Sequence, residues 1–182
     1  GAQMDQLQTR HTQTALTHLV DFTGGLKVTT SAYHNYFWRN WYKLNDVRIG
    51  DQKGEQRSIE EILADPETNA RYIDILTGTT DRLGEALMLR ANQRSYHSRG
   101  IQTKVEYRLP FLSSYLQLEA GARYHADLED RFQHDDSYSI EGGKMSLFRA
   151  GQPGSQSNRI TTAHAFASYL LGKWSRAGWT IT

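Results

Sequence analysis

Basic side chains lie at the polar positions of two segments that alternate between apolar and polar residues, and they are the residues best suited to chemistry. Lys104 and Arg108 lie in the segment 101–109, and Arg123 lies in the segment 116–125. In an extended strand, successive side chains point to opposite faces, so each segment gathers its charges on one side. Ammonium and guanidinium groups hold anions through charge-assisted hydrogen bonds. We therefore expect these three side chains to line an anion-binding surface.

The sequence contains no recognisable catalytic motif. It has no cysteine, which excludes disulfides, thiolate zinc sites and cysteine nucleophiles. The patterns HExxH, GxSxG and GxGxxG are missing, and Gly142-Gly143-Lys144 lacks the remainder of a phosphate loop. We therefore predict that the protein is not an enzyme and has no cofactor.

Histidines and carboxylates offer weaker candidates. The segment 125–136 is acidic and contains two histidines, but it lacks the regular ladder and central glycine of a calcium loop, so a solvated acidic segment is favoured and no metal site is predicted. His97, His125 and Arg94 are kept as candidates for ligand contact.

Strand signals recur along the chain. The segment 12–22 and the return arm 26–41 flank Thr23-Gly24-Gly25, which predicts a hairpin with a tight turn. The segments 101–109 and 116–125 alternate cleanly between apolar and polar residues, with a turn around Pro110. The segment 160–171 is strand-like again, and the polar segment 172–178 separates it from a last strand at Trp179.

Two long connections separate these strands. In the first, residues 43–90, Ser58 and Glu61 form a capping box for a short helix, and Asp65-Pro66 predicts a second helix that ends at Gly78. The second, residues 127–158, contains the turn signals Gly142-Gly143 and 151–154.

The order and length of these elements favour a membrane barrel. Connections alternate between short and long, as they do when short periplasmic turns and long external loops join antiparallel strands. The strands reach ten residues, whereas a tilted membrane strand needs about nine to eleven and a soluble strand averages about five or six. The alternative is a secreted β-sandwich that binds carbohydrate, in which Leu116 and Leu118 lie beneath a second sheet.

Several stretches resemble one family of outer-membrane proteins. They are Thr30-Ser31-Ala32-Tyr33, the run Phe37 to Leu44, Ile75-Leu76-Thr77-Gly78, Asn92-Gln93-Arg94-Ser95-Tyr96 with Gly100 to Thr103, Arg123-Tyr124-His125, Glu129 to Gln133, Ala150 to Gly154 and Ser157 to Ile160. Together they are similar to the barrel of TonB-dependent receptors of the ferric-dicitrate type, and the likeness covers essentially all of residues 1–182.

The resemblance implies an all-β, antiparallel transmembrane β-barrel fragment with short helices in a long extracellular loop. Such barrels have about 22 strands, so the six or so strands expected here form part of the wall. We expect the plug, the TonB-contacting segment and the closing strand to lie outside this chain. The implied parent is an integral protein of the outer membrane of a Gram-negative bacterium. It imports a ferric chelate with the TonB-ExbB-ExbD system and contacts membrane lipid but no nucleic acid. Another siderophore or an oligosaccharide remains an alternative ligand.

The distribution of charge bears on the ligand. The two long connections hold 10 basic and 16 acidic residues, and the rest of the chain holds 11 basic and 4 acidic residues. Because a basic residue facing lipid at the midplane costs about 2 to 4 kcal/mol, most of these cations should face the lumen. A positive lumen suits an anionic ferric chelate. Pairing of the cations with Glu106, Glu119 or plug residues is the alternative.

Three aromatic residues lie at the end of the second strand. Trp38, Trp41 and Tyr42 precede the first long connection, which predicts anchoring at the membrane interface. Stacking on a ligand is the alternative. The sequence leaves open which face of 26–41 meets lipid, because Leu26 and Val28 favour one parity while Tyr33 and Phe37 favour the other.

Overall fold

The computed structural model describes residues 3–52, 54–111, 114–152, 155–176 and 179–181. Its elements in chain order are β1 (Gln6–Phe22), β2 (Leu26–Arg48), β3 (Gln56–Ser58), α1 (Ile59–Ala64), α2 (Ala70–Thr77), β4 (Arg82–Phe111), β5 (Ser114–Glu141), β6 (Lys144–Arg149), β7 (Ser157–Arg176) and β8 (Trp179–Ile181).

The strands form one antiparallel sheet. Its main path is β1-β2-β4-β5-β7-β8, with β3 paired beside β2 and β6 paired beside β5. Among the described residues no pairing joins β1 to β8, so the sheet is open. The all-β antiparallel prediction is confirmed, and so is the presence of two short helices.

The first hairpin has the predicted turn. Gly24 and Gly25 adopt φ angles of 96° and 84°, a region that glycine enters without steric cost. The Arg108 N–H donates a hydrogen bond of 3.0 Å to the Gly25 carbonyl, which also fixes β2 against β4 at this point.

The two long connections are shorter than predicted. β2 continues to Arg48 and β4 begins at Arg82, so the true connection between them is residues 49–81. Most of 127–158 is also not a loop, because β5 runs on to Glu141, turns through Gly142-Gly143 and returns as β6. Polar residues on both faces obscured the alternation, while cross-strand ion pairs such as Arg90–Asp135 extend the pairing. Pro153 and Gly154 lie outside the described residues.

The end of the chain departs from prediction in a similar way. Residues 172–176 belong to β7 rather than to a separate polar segment. Residues 177, 178 and 182 lie outside the described residues. The separation of the last strand, β8, from the preceding one is therefore shorter than expected.

The helix termini follow the sequence in part. Ser58 caps α1 as predicted, since its hydroxyl accepts from the Glu61 N–H at 3.2 Å and the Glu61 carboxylate accepts from the Ser58 N–H at 2.8 Å. The hydrogen bonds that the Glu61 carboxylate accepts from the Ser58 N–H and from the Ser58 hydroxyl hold the pKa of Glu61 below its ordinary value. The predicted start of α2 at Asp65-Pro66 is wrong, because Asp65 ends α1 and accepts the Thr68 N–H in a turn. Gly78 ends α2 in a left-handed conformation, as predicted.

Neither helix in the described part of the chain has the length and apolar character needed to cross a membrane.

The chain divides into two compact units. Unit 1 comprises residues 1–10, 38–95 and 130–160, and it contains a hydrophobic core. The helices contribute Ile62, Tyr72 and Ile75 to this core. The strands contribute the other buried members, Tyr42, Val47, Ala86, Leu87, Leu89, Ala91, Tyr138 and Ile140.

Unit 2 comprises residues 11–37, 96–129 and 161–182 and is built differently. Among its described residues Ala126 is the one buried apolar side chain. Large apolar side chains are instead exposed, among them Leu16, Ile101, Phe166 and Leu170. Unit 2 is therefore a sheet without a protein layer over its apolar side chains in the described residues.

The core of unit 1 predicts a large effect of one truncation. Leu89 is 0% exposed, so Leu89→Ala should lower the free energy of unfolding by about 2–5 kcal/mol through lost burial and a cavity. Leu83→Ala is the matched control, since Leu83 is 73% exposed and should change it by less than about 0.5 kcal/mol. Urea unfolding of both variants measures the difference, and equal effects would contradict the core assignment.

Candidate ligand-binding surfaces

Two contacts assign the faces of the sheet in unit 2. The hydroxyl oxygens of Thr30 and Thr103 lie 3.2 Å apart, so even residues of β2 share a face with odd residues of β4. Tyr33 Oη lies 2.5 Å from His125 Nδ1, so odd residues of β2 and β5 share the opposite face. Leu26 and Val28 therefore share a face with the apolar residues of 101–109.

We name the two sides of unit 2 by their residues. The apolar face carries Leu26, Val28, Ile101, Val105, Leu109, Leu116, Leu118, Phe166 and Leu170. The polar face carries Lys27, Gln102, Lys104, Glu106, Arg108, Tyr115, Glu119, Arg123, His125 and Tyr169. Tyr124 Oη lies 2.7 Å from His164 Nδ1, so even residues of β7 belong to the apolar face. The Tyr169 hydroxyl donates a hydrogen bond of 2.7 Å to the Glu119 carboxylate, so odd residues of β7 belong to the polar face.

The three predicted cations all lie on the polar face. Lys104 Nζ pairs with the Glu106 carboxylate at 3.0 Å. The Arg108 guanidinium lies 3.8 Å from the centre of the Tyr115 ring. Among the described residues no carboxylate lies within ion-pair distance of Arg108 or Arg123. One of the three cations is therefore paired, as the alternative interpretation expects, and two are not.

Arg123 belongs to a hydrogen-bonded group around Tyr33. Its guanidinium donates to Tyr33 Oη at 2.8 Å and lies 5.4 Å from the Tyr33 ring centre. His125 contacts the same hydroxyl and, through Nε2, the Asp127 carboxylate at 3.0 Å. The predicted candidates Arg123 and His125 are therefore brought together by a tyrosine that sequence reasoning did not single out as a site residue.

A cavity of about 480 Å³ lies within unit 2 beside these cations. Its polar lining comes from Thr29, Ser31, Gln102, Lys104, Arg123 and Tyr169. Hydroxyl and amide groups combined with two cations can hold a polar anion by hydrogen bonds from several directions.

The other two candidates lie elsewhere. His97 is on the apolar face, where its Nδ1 lies 3.3 Å from His34 Nε2 and the two rings are stacked. It therefore lies on the opposite face from Lys104, Arg108 and Arg123, and ligand contact by His97 stays a prediction. Arg94 belongs to unit 1, where its Nε donates to Asn92 at 3.2 Å.

In unit 1, Arg94 is one member of a row of three arginines. Arg48 contacts Glu85 across β2 and β4, so even residues of β2 share a face with odd residues of β4, and Arg39 shares the other face with Arg94. Arg90 pairs with Asp135 across β4 and β5, so even residues of β4 share a face with odd residues of β5, which include Arg131. We call Arg39, Arg94 and Arg131 the arginine row.

Two members of the arginine row have unsatisfied donors. Among the described residues, the Nε atoms of Arg39 and Arg131 are buried without a hydrogen-bond partner. Arg131 donates through Nη2 to Gln133 at 2.5 Å. Because a buried donor without a partner costs about 1–3 kcal/mol, an anion that accepts these bonds would be held strongly.

Sequence reasoning missed Arg39 and Arg131 as site residues, although a signal was present. Both lie in stretches that carry the family resemblance, and each lies within a segment that continues a strand. The sequence pattern predicts a loop at Arg131, where side-chain direction is undefined. In the structure β5 continues through this segment, and its alternation places Arg131 on the same face as Arg94.

Two acidic residues beyond Glu129, Asp135 and Asp136, make hydrogen bonds within unit 1. Asp135 accepts two hydrogen bonds from Arg90, at 2.7 and 2.8 Å, and Asp136 accepts from Tyr42 and from the Gly151 N–H. The bond with Asp135 raises the pKa of Arg90. Within the described residues no cluster of three or more metal-ligating side chains occurs. The Asp135 and Asp136 carboxylates thus connect strands and the segment at Gly151.

The three predicted interface aromatics have different environments. Trp41 is exposed, with Lys43 Nζ 4.5 Å from its ring centre, and Trp38 is partly buried. Tyr42 is 7% exposed and belongs to the core of unit 1. Burial, together with hydrogen bonds to Tyr138 and Asp136, raises its pKa far above the ordinary value. The interface prediction therefore stays open for Trp38 and Trp41 but does not fit the position of Tyr42.

Comparisons with protein-family models, curated proteins and solved structures give no match for this chain.

The Arg90–Asp135 pair predicts a measurable contribution to stability. Asp135 is 12% exposed, so Asp135→Asn should lower the free energy of unfolding by about 1.5–3 kcal/mol through loss of a charged hydrogen-bond partner. Asp51→Asn is the control, because that carboxylate is 90% exposed although it also pairs with an arginine, and exposed pairs contribute about 0–1 kcal/mol. Chemical denaturation compares the two, and an Asp51 effect as large as that of Asp135 would contradict the structural role.

Proposed function

We propose that this chain forms part of the wall of an outer-membrane β-barrel receptor that imports an anionic ferric chelate. In this proposal the apolar face of unit 2 contacts lipid, and the polar face lines the lumen. Uptake is driven by TonB-ExbB-ExbD acting on other parts of the receptor, and the protein catalyses no reaction.

The observation that carries the proposal is the exposed apolar face of unit 2. Phe166 and Leu170 are 72% and 74% exposed, and the large apolar side chains of β4 and β7 on this face have no covering layer in the described residues. Contiguous exposed apolar surface of this kind favours contact with a membrane or another protein. All backbone groups of a paired sheet interior are satisfied within the sheet, which is the requirement for a strand in lipid.

The length of the apolar face supports lipid rather than protein as its neighbour. On β4 the apolar residues of this face run from Ile101 to Leu109, a nine-residue segment, before Arg99 interrupts the pattern. A tilted membrane strand needs about nine to eleven residues. The sandwich alternative requires a second sheet over Leu116 and Leu118, and none lies there in the described residues.

Two basic surfaces support an anionic ligand. On the polar face, Arg108 and Arg123 have aromatic rather than carboxylate partners, and the cavity beside Arg123 offers hydroxyl and amide groups. In unit 1, the arginine row presents buried Nε donors. Carboxylates match the planar donor geometry of guanidinium groups better than the neutral hydroxyls of an oligosaccharide do. A ferric carboxylate complex, which the sequence resemblance implies, is therefore our first choice of ligand.

Labels on β5 test the membrane part of the proposal. Spin labels at Leu116 and Leu118 should be accessible to oxygen dissolved in lipid, whereas labels at Gln117 and Glu119 should be accessible to a water-soluble relaxation agent. The four positions serve as controls for one another, because successive labels along a strand point to opposite faces and should differ in which agent reaches them. Burial of the Leu116 and Leu118 labels from both agents would favour the sandwich instead.

Substitution in the arginine row tests the ligand part. Arg131→Gln should weaken binding of ferric citrate about tenfold, because a charged hydrogen-bond donor contributes about 1.5–3 kcal/mol. Arg159→Gln is the control, since Arg159 is exposed on β7 and lies outside the row. Isothermal titration measures both affinities. Equal affinity of the two variants would remove the row from the proposed binding site without affecting the membrane assignment.

A further inference from the structure

We propose that a histidine- and arginine-lined cleft on the apolar face of unit 2 binds the phosphorylated headgroup of a membrane lipid. This inference rests on the proposed membrane location of unit 2. It concerns a different surface from the polar face and the arginine row, and it assigns a lipid rather than the transported chelate.

The cleft has a volume of about 310 Å³ and spans β2, β4, β5 and β7. Its polar lining comes from His34, His97, Arg99, Asp127, Thr162 and His164. Besides the Asp127 carboxylate, the lining contains one permanent cation, three imidazoles and a hydroxyl, which can donate hydrogen bonds to phosphate oxygens.

The contacts among these side chains keep several donors near one another. His34 and His97 are stacked, with ring centres 5.6 Å apart, and the Tyr36 ring lies 4.9 Å from that of His97. On the β7 side, Tyr124 Oη lies 2.7 Å from His164 Nδ1. Aromatic packing thus restrains imidazole groups at both sides of the cleft, which lowers the entropy cost of binding an anion.

The charge within the cleft is favourable to an anion. Among the described residues, no carboxylate lies within ion-pair distance of Arg99, His34, His97 or His164. Asp127 also borders the cleft, but its carboxylate contacts His125 Nε2 at 3.0 Å, and that histidine lies on the polar face. Arg99 is exposed, so its guanidinium is available to a ligand.

The position of the cleft selects an amphiphilic ligand over free phosphate. On β2, Ala32 is followed on the same face by His34, and on β7, Phe166 is preceded on that face by His164. On β4, Arg99 precedes Ile101 on the same face. The donors therefore lie beside apolar residues of three strands. A phosphate in the cleft would leave its acyl chains along exposed apolar side chains, whereas inorganic phosphate would gain nothing from them.

Lipid titration of the full-length protein in phosphatidylcholine nanodiscs tests the proposal. Native mass spectrometry should detect retained phosphatidic acid, and Arg99→Gln should lower its apparent affinity about tenfold, as loss of one charge-assisted hydrogen bond predicts. The double variant His97→Gln/His164→Gln should lower it as well. Arg99→Gln should not change binding of ferric citrate, because Arg99 lies on the opposite face of unit 2 from Lys104, Arg108 and Arg123.

His18→Gln is the matched control, since His18 is an exposed histidine of β1 outside the cleft. Unchanged retention of phosphatidic acid in Arg99→Gln would overturn the lipid site while leaving the receptor proposal intact. Equal competition by inorganic phosphate and by phosphatidic acid would show a free-anion site and overturn the lipid assignment. If the protein does not enter nanodiscs at all, the membrane proposal fails, and the lipid site fails with it.

Discussion

The structure depends on cross-strand pairing that continues through long segments while the environment of the side chains changes. β4 and β5 are 30 and 28 residues long, and each contributes to both units. Backbone groups along such strands form hydrogen bonds with the neighbouring strands regardless of the side-chain type. The apolar, polar or buried character of each face can therefore change along a strand while the sheet continues.

In unit 1 the strands gain a conventional core. Two short helices bring Ile62 and Ile75 onto strand residues such as Leu87 and Leu89, and burial of these side chains supplies most of the stabilisation. Polar contacts add to this stabilisation. The Arg90–Asp135 ion pair joins two strands, and the Asp136 carboxylate accepts a hydrogen bond from the Gly151 N–H. These contacts hold the register that places the arginine row together, so packing and the proposed ligand site are linked.

In unit 2 the same backbone pattern has no core. Alternation separates the side chains into a polar face with Arg108 and Arg123 and an apolar face with Ile101 and Phe166. Exposure of the apolar face to water would be costly, and the proposed contact with lipid would remove that cost. In the proposed barrel, the polar face would place Arg108 and Arg123 in the lumen. One physical rule, the two-residue repeat of a strand, accounts for both the proposed membrane contact and the proposed ligand path.

The sequence by itself determined the antiparallel all-β class, the Gly24-Gly25 hairpin, the Ser58 cap and the shared side of Lys104 and Arg108 on one strand. Each depends on residues close together in the chain, where periodicity and turn chemistry act directly. Only the tertiary structure decided that 127–141 is a strand, that Tyr42 is buried, that His97 lies on the opposite face from Arg123, and that Arg39, Arg94 and Arg131 form a row. These depend on register between distant segments, and cross-strand partners set register in ways that the local pattern of one strand does not contain.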